Sequence, residues 1–432
     1  MKVSNSTRTR AVAALGVSAL ACTSASAGGI SLYEVGTPDV GLAAAGYAAR
    51  AQDAATVLTN PAGMVRLAGN QFMLGAQVLH GDLRLSIEPG TSPALGTGDG
   101  GNPVGWFPGG GLFYSHSVSP DLKLGLAVTG NFGSAVEYEP GWVGRYRAQE
   151  GTLLGVSVLP SIASRINENL SLGASLNVMY GKLENKVAVN NIRGADGSLS
   201  LEDTTWGAGV NLGLLYEVGP GTRFGVTYTS PVKLNFAAQP QWSDLAPGIQ
   251  ALLGSRGLLD ARTDLGVTVP QGVNASLYHE LDPRWAVLSS VGWQQWSKFG
   301  EVEVGIDSNN PIGLSTELNL KDTWHISGGA QYKWSDSWLL NAGIAYDSGF
   351  QSNGSISLAL PANAAWRFGI GGQKEESNAF NWGWSLSYLT GGTLRSNASG
   401  SVPVALGGRG NVVGSFEDVR VIFLALNFNW RP

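Results

Sequence analysis

The sequence predicts an all-β fold, a 14-stranded antiparallel transmembrane β-barrel with an N-terminal hatch, or plug, inside its lumen. Three observations predict it. Segments of about ten residues alternate between apolar and small or polar side chains, with aromatic residues at both ends of the apolar face. No stretch after the export signal is long and apolar enough for a transmembrane helix. The chain has 61 Gly and 14 Trp but only 14% charged residues, too few for a typical soluble surface.

Residues 1–27 have the features of an export signal. A basic start is followed by an apolar run, residues 11–21, and by the small-x-small cleavage site Ala25-Ser26-Ala27. A lipoprotein signal at Cys22 is the alternative. A mature chain that begins at Gly28 has no cysteine and carries 24 Lys and Arg against 32 Asp and Glu. It therefore needs no disulfide or thiolate metal site, and its charge indicates no nucleic-acid partner.

Residues 28–69 are predicted to form the plug. The segment is rich in Ala and Gly, lacks strand-length alternation, and ends around the motif Asn60-Pro61-Ala62-Gly63. Small residues let one backbone approach another closely. The predicted lumen-facing sides of the strands carry mainly Gly, Ala, Ser and Asn, which leaves room for such a segment. Large side chains on the opposite wall could fill the same space instead.

Residues 70–432 are predicted to form the barrel. In 170–181, Leu, Leu, Ala, Leu, Val and Tyr alternate with Ser, Gly, Ser, Asn, Met and Gly. In a β-sandwich the apolar face would be the core, so aromatic belts at both ends favour a membrane barrel. The fourteen predicted strands lie near residues 70–80, 111–118, 122–138, 152–164, 169–187, 204–217, 222–236, 262–279, 284–304, 315–334, 337–348, 363–373, 380–395 and 416–430.

Six short turns alternate with seven longer connections between these strands. Short turns on the periplasmic side and long loops outside are typical of outer-membrane barrels, and they place both termini in the periplasm. The long loops include 81–110, 188–203, 237–261 and 396–415. Within the third of these, Leu252 and Leu253 belong to a possible short apolar helix. That helix could bind an apolar ligand or pack on the barrel rim.

Motifs along nearly the whole chain resemble those of the FadL-type outer-membrane long-chain fatty acid transporters, a family that includes channels for aromatic hydrocarbons. The matching residues are Gly28-Gly29-Ile30, Tyr33-Glu34, Asp53, Asn60-Pro61-Ala62-Gly63, Asn131-Phe132-Gly133, Glu137-Tyr138, Trp285-Ala286, Trp296-Ser297, Lys321-Asp322, residues 343–347 and Asn427-Phe428-Asn429. The resemblance implies a 14-stranded barrel closed by a hatch.

The resemblance also implies a route for the ligand. Ligand would lodge between external loops, enter an apolar pocket that movement of the N-terminus opens, and leave through a lateral gap in the wall. Ile30 and Leu32 would contact the substrate in that pocket. The gap would come from a kink in the third strand at Asn131, Phe132 and Gly133. A glycine tolerates such a bend, although Gly133 could merely accommodate the plug.

A fatty acid also needs a cation for its carboxylate. Lys186 and Lys321 are the candidate contacts, although a lysine near a strand end is often a solvated or lipid-headgroup charge. Arg145 and Arg147 could meet either lipopolysaccharide phosphates or the carboxylate. The loop 188–203 is short compared with the family prototype, which leaves the external site and the substrate open.

We therefore expect a channel of the bacterial outer membrane for passive uptake of hydrophobic molecules, most of all long-chain fatty acids. The alternatives are an aromatic hydrocarbon channel, a general porin or a structural barrel. An enzyme is not expected, because the four histidines are scattered and no P-loop or nucleophile-elbow motif occurs. We expect no cofactor or metal. The expected partners are outer-membrane lipid, lipopolysaccharide and the barrel assembly machinery, which would recognise Trp430, and we expect a monomer.

Overall fold

The computed structural model describes residues 35–299, 301–307, 312–317 and 319–432, and for 301–307 and 312–317 only the backbone. The predicted export signal and the predicted substrate contacts Ile30 and Leu32 lie outside these residues. Within the described part of the chain, helices are too short or too polar to span a membrane.

Fourteen antiparallel strands form a closed barrel, as the sequence predicts. They are β1 (Gln71–Ile87), β2 (Gly105–Ser117), β3 (Leu122–Glu137), β4 (Glu150–Arg165), β5 (Leu170–Val189), β6 (Gly197–Glu217), β7 (Thr222–Thr229), β11 (Gly272–Glu280), β12 (Trp285–Gln294), β15 (Thr323–Lys333), β16 (Trp338–Asp347), β17 (Ala365–Ser377), β18 (Phe380–Ala398) and β19 (Val412–Trp430). β1 pairs with both β2 and β19, and pairing of β5 with β6 closes the ring. All six predicted short turns are confirmed.

Four of the predicted strands are wrong in extent, because each contains two strands. The segments 222–236, 262–279, 284–304 and 315–334 also include β8 (Val232–Ala238), β10 (Arg262–Val269), β13 (Glu301–Asp307) and β14 (Ile312–Glu317), which make a separate four-stranded sheet. Pro231 and Pro270 stand at two of the breaks. Proline lacks the backbone N–H that a ladder needs, so the chain changes direction there although the alternation continues.

The separate sheet folds over the inner face of β5 and β6. A Cβ added to Gly207 would collide with the side chain of Val232, and a Cβ added to Gly181 would collide with that of Leu234. These glycines therefore allow the two layers to approach. Val232, Leu234 and Phe236 are buried together with Phe132, Leu153 and other inward-facing residues. The half of the lumen next to the long loops is therefore filled by an apolar core.

The predicted alternation of faces is confirmed on the barrel strands. On β5, Leu172 and Leu176 are exposed on the outer face, whereas Ser171 and Ser175 on the inner face are buried. Trp206 stacks edge-on against Tyr180 near one rim, and Trp285 packs on Tyr332 near the other. An apolar outer band between aromatic belts is what a bilayer requires.

The long connections differ from prediction mainly because strands extend further. The predicted loop 188–203 is largely wrong, since the β5–β6 ladder continues to Val189 and Gly197. Such extension satisfies backbone groups beyond the apolar band. β9 (Gln241–Ser243) adds to β6, and the predicted helix is present as α2 (Pro247–Gly254). The remaining helices are α1 (Thr56–Thr59), α3 (Trp296–Phe299) and short 3₁₀ turns at Pro38–Val40, Pro61–Arg66, Pro93–Leu95 and Val404–Leu406.

The described part of the plug, which begins at Val35, lies inside the ring of strands. Its backbone hydrogen bonds reach side chains far along the chain. Gly36 N–H donates to Gln77 Oε1 on β1 at 2.8 Å, Gly46 N–H to Ser290 Oγ on β12 at 2.9 Å, and Ala48 N–H to Ser276 Oγ on β11 at 3.0 Å. A short irregular segment can be buried in this way because the wall supplies the missing partners.

Candidate functional site

Inward-facing glycines of the barrel wall form the surface against which the plug packs. A Cβ on Gly225, Gly343 or Gly369 would collide with the backbone carbonyl oxygens of Ala48, Leu42 and Val40, respectively. The wall and the plug therefore touch backbone to backbone. The small lumen residues that the sequence shows thus accommodate the plug at these positions.

The motif Asn60-Pro61-Ala62-Gly63 holds the end of the plug to the wall. Asn60 Oδ1 accepts the Ala62 N–H at 3.1 Å, and Asn60 Nδ2 donates to Ala48 O at 2.6 Å and to Leu214 O on β6 at 3.0 Å. Pro61 then starts a 3₁₀ turn, where its missing N–H costs nothing. Gly63 has no room for a Cβ beside Thr56 and Ala51. These contacts indicate an architectural role for the motif.

A buried ionic cluster lies inside the plug. Arg50 Nε is 3.0 Å from Asp39 Oδ1, and Arg50 Nη1 is 2.6 Å from Asp53 Oδ2. All three side chains are buried. The Arg223 guanidinium of β7 donates to Ala49 O at 2.6 Å and to Arg50 O, and it stacks 3.5 Å above the Tyr278 ring. The plug is therefore fixed by charge-assisted contacts as well as by packing.

The β2–β3 ladder ends beside the predicted kink in β3. Pairing of β2 with β3 ends at Gly111 and Thr129, and beyond that point β3 pairs only with β4. Asn131 is skipped in the β3–β4 register, and Gly133 has φ 142°, a conformation that favours glycine. A Cβ on Gly133 would also lie 2.6 Å from Leu153 O. β2 and β3 thus lose their mutual ladder in the outer half of the barrel.

A cavity of about 290 Å³, the outer cavity, lies among the long loops. It is lined by the ends of β5 and β6, by α2 and by the loop 399–411. Leu252 and Leu253, which the sequence singled out, both line it, together with Ile249 and Trp242. The predicted apolar face of the helix is therefore directed at a cavity.

Two arginines join the apolar side chains of the outer cavity, and its lining contains no acidic residue. Arg147 Nη2 donates to Ala398 O and Gly410 O, whereas its buried Nε has no partner among the described residues. Burial lowers the pKa of Arg147, and burial together with Arg147 lowers the pKa of Arg409 to about 10. Two desolvated like charges beside an apolar surface favour an anion with an apolar tail.

The predicted lysines lie elsewhere. Lys186 is on the outer face of β5, where its Nζ is 2.6 Å from Glu150 Oε1. Lys321 is exposed between β14 and β15, beside Asp322, whose Oδ1 accepts from Ser297 Oγ at 2.6 Å. Neither lysine lines the outer cavity. Their role as ligand contacts stays a prediction.

Sequence reasoning missed Arg409 and a buried cluster on the inner wall. In that cluster Asp347 Oδ1 is 2.7 Å from His325 Nδ1, and Asp347 Oδ2 is 3.2 Å from Arg367 Nη2. The sequence contained a signal for this cluster, because all three residues occupy inward-facing positions at the ends of the adjacent strands β15, β16 and β17. Arg409 stands in an irregular glycine-rich loop, where no period indicates the direction of a side chain.

A family model described as "Outer membrane protein transport protein (OMPP1/FadL/TodX)" matches residues 18–409. A "Long-chain fatty acid transport protein" of Salmonella typhi is 27% identical over 407 residues, which cover 88% of this chain and 91% of that one. A "47 kDa outer membrane protein" of Pasteurella multocida is 31% identical over 380 residues, 83% of this chain and 86% of that one.

The fold also matches a solved structure. A FadL homologue of Pseudomonas aeruginosa superposes with a TM-score of 0.82, covering 93% of this chain and 99% of that chain. The two sequences are 19% identical, so this likeness concerns the fold alone.

Proposed function

The chain belongs to the outer membrane protein transport family (OMPP1/FadL/TodX) and is an outer-membrane transport channel for hydrophobic compounds, and from that premise we propose that its substrates are long-chain fatty acids. Members of this family are channels rather than enzymes. The finer questions are which hydrophobic compound is carried and where it leaves the barrel.

The outer cavity carries the proposal. Its apolar surface, from Leu252, Leu253 and Ile249, suits a hydrocarbon chain, and the guanidinium groups of Arg147 and Arg409 suit a carboxylate. An aromatic hydrocarbon has no anionic group, so a site for it would gain nothing from two partly buried cations. The combination therefore favours fatty acids over compounds such as toluene.

We further propose that ligand leaves the lumen laterally at the β3 kink. The missing β2–β3 ladder beyond Thr129, the skipped residue Asn131 and the constrained Gly133 support this route. Phe132 from the same kink also reaches the apolar interior. A lateral route keeps an apolar ligand away from the polar aqueous side of the plug.

Arg409→Gln tests the choice of substrate. The variant removes the positive charge but keeps a polar side chain, so palmitate binding to the purified barrel should weaken by about tenfold or more, and toluene binding should stay unchanged. Binding is measured with radiolabelled ligands.

Arg395→Gln is the matched control, because Arg395 is exposed and does not line the outer cavity. It should leave palmitate binding unchanged. Equal palmitate binding by Arg409→Gln and the natural protein, with tight toluene binding by both, would move the substrate to aromatic hydrocarbons. Passage of a small sugar without saturable binding of either ligand would indicate a porin.

Deletion of Asn131 tests the lateral route. The deletion removes the residue skipped between Gly130 and Phe132, so β3 can continue a regular ladder. Fatty acid uptake by cells should fall by at least about tenfold, as expected when a route loses its opening, while binding at the outer cavity persists. Asn131→Gln, which keeps the chain length and the side-chain amide, should transport normally. Full uptake by the deletion variant would place the exit elsewhere.

A further inference from the structure

A second cavity, the lumen cavity, lies in the middle of the barrel and has a volume of about 110 Å³. The plug contributes Leu58 and Pro61 to its lining, the kink contributes Asn131 and Phe132, and the inner faces of several strands complete it. A cavity of this size has room for the head of an amphiphile.

Three buried asparagines line the lumen cavity with amide atoms that have no partner. They are Asn177 on β5, Asn211 on β6 and Asn274 on β11, all more than nine-tenths buried. Among the described residues, Asn177 Oδ1, Asn211 Oδ1 and Asn274 Nδ2 have no hydrogen-bond partner. A buried polar atom without a partner costs about 1–3 kcal/mol, and three around one cavity point to an occupant that supplies the missing bonds.

The lining of the lumen cavity contains no charged residue. Its polar groups are amides and the hydroxyls of Tyr47, Thr59, Thr227, Thr229 and Ser230. An amide both donates and accepts, as a hydroxyl or a protonated carboxyl group does. A carboxylate, by contrast, would have to be desolvated there without a cation. The chemistry therefore matches an uncharged polar head.

The wall beside the lumen cavity is interrupted at a place other than the β3 kink. The β7–β11 ladder ends at Thr229 and Gly272, and the β8–β10 ladder begins only at Val232 and Val269. The residues between them include Pro231 and Pro270, which cannot donate. On the neighbouring strand, Val210 bonds Ser230, whereas residues 201–209 of β6 have no ladder partner on this side within the described part of the chain.

The lumen cavity extends through this interruption. Its lining includes inward-facing Asn274 and also Val273 and Trp293, which belong to the outer, lipid-facing side of β11 and β12. Ser230 and Gly272 lie between the two sides. A chain attached to a head at the asparagines thus has an apolar crevice between these strands in which to lie.

We propose that the lumen cavity binds the uncharged polar head of a single-chain amphiphile, a primary alcohol or a protonated carboxylic acid, with its chain lying in the crevice between β6, β7 and β11. For a fatty acid the inference rests on the proposed function. The acid then binds as a carboxylate at Arg147 and Arg409, takes up one proton from water before it reaches the asparagines, and returns that proton to water when it leaves.

Binding of hexadecanol and hexadecane to the full-length refolded protein tests the site. The natural protein should bind the alcohol about tenfold more tightly than the alkane, since only the alcohol makes the missing hydrogen bond. Asn211→Leu and Asn274→Leu should remove that preference. Asn185→Leu is the matched control, because Asn185 is also buried, unpartnered and inward-facing on β5 but does not line the cavity.

Infrared spectra of palmitic acid labelled with ¹³C at the carboxyl group give a second measurement that needs no asparagine variant. At neutral pH the bound acid should show a protonated C=O band beside the carboxylate band. Arg409→Gln should weaken the carboxylate band and leave the C=O band. Only a carboxylate band, or an alcohol preference that both leucine variants retain, would overturn the inference and leave a water-filled cavity. Loss of fatty acid specificity in Arg409→Gln, in contrast, bears on the proposed function alone.

Discussion

Glycine residues on the inner face of the barrel decide how closely the plug approaches the wall. At Gly225 a Cβ would occupy the position of the Ala48 carbonyl oxygen, so even alanine has no space. At Gly328, on the outer face of β15, nothing lies within 4 Å of an added Cβ. The two positions differ in environment rather than in backbone conformation.

Gly225→Ala should therefore destabilise the protein by about 1–3 kcal/mol, as overpacking in a filled interior does. Gly328→Ala is the control and should be close to neutral. The midpoint of urea unfolding, followed by tryptophan fluorescence in detergent micelles, measures the difference. A Gly225→Ala variant as stable as the control would mean that the plug does not rest on β7.

Tyr146 gives the outer loops a pH dependence. Its hydroxyl donates to Asp196 Oδ1 at 2.6 Å, and Arg145 Nε donates to Asp196 Oδ2 at 2.7 Å. Burial and, second, the hydrogen bond to Asp196 raise the pKa of Tyr146 to about 12. Between pH 10 and 12 the unfolded chain has lost this proton while the folded chain keeps it.

The unfolded state therefore binds fewer protons in this range, and the contribution of Tyr146 to stability falls as the pH rises. Tyr146→Phe cannot titrate, so its melting temperature should decline less than that of the natural protein between pH 10 and 12. Circular dichroism at a series of pH values measures both. Parallel declines would show that the hydroxyl is not held as the structure has it.

At the scale of elements, the ionic cluster makes the plug an internally braced unit. Replacing Arg50 by methionine would leave the buried carboxylates of Asp39 and Asp53 without their cation. Breaking a buried pair in this way costs about 3–5 kcal/mol. We expect this loss of stability to affect the plug rather than the barrel, because the barrel ladders do not involve these residues.

Arg50→Met should thus loosen the plug within an intact barrel. Single-channel conductance in a planar bilayer should rise, while the β-sheet circular dichroism signal stays. Arg66→Met is the control, because Arg66 pairs with Glu217 at a position that is more exposed than the cluster around Arg50 and should matter less. Unchanged conductance in Arg50→Met would show that packing against glycines suffices to hold the plug.

The limits of prediction also lie at the scale of elements. Alternation with a period of two continues through Pro231 into β8, because both strands on either side of the break have one buried face. The periodicity therefore predicted the strands correctly, but it could not show that the chain passes from the barrel wall into an inner sheet. Only the prolines marked that change, and a proline by itself also fits an edge or a bulge.

For the whole molecule, the barrel was predictable, but the outer cavity was only partly so. A plug made of residues 28–69 stays a prediction. Leu252 and Leu253 were found because an apolar helix in an exposed loop is unusual. Arg409 was not, because loops bring side chains together without a repeating pattern. Contacts with lipopolysaccharide and the assembly machinery, and a monomeric state, stay predictions.

The hydrogen bond from Gly46 to Ser290 spans 244 residues and has a consequence for the order of folding. The plug is made and exported first, yet its partners on β11, β12 and β16 follow more than 200 residues later in the chain. Contacts so distant in sequence form late, since closing the intervening chain costs entropy. The plug can therefore fold only after the strands that enclose it have been delivered to the membrane.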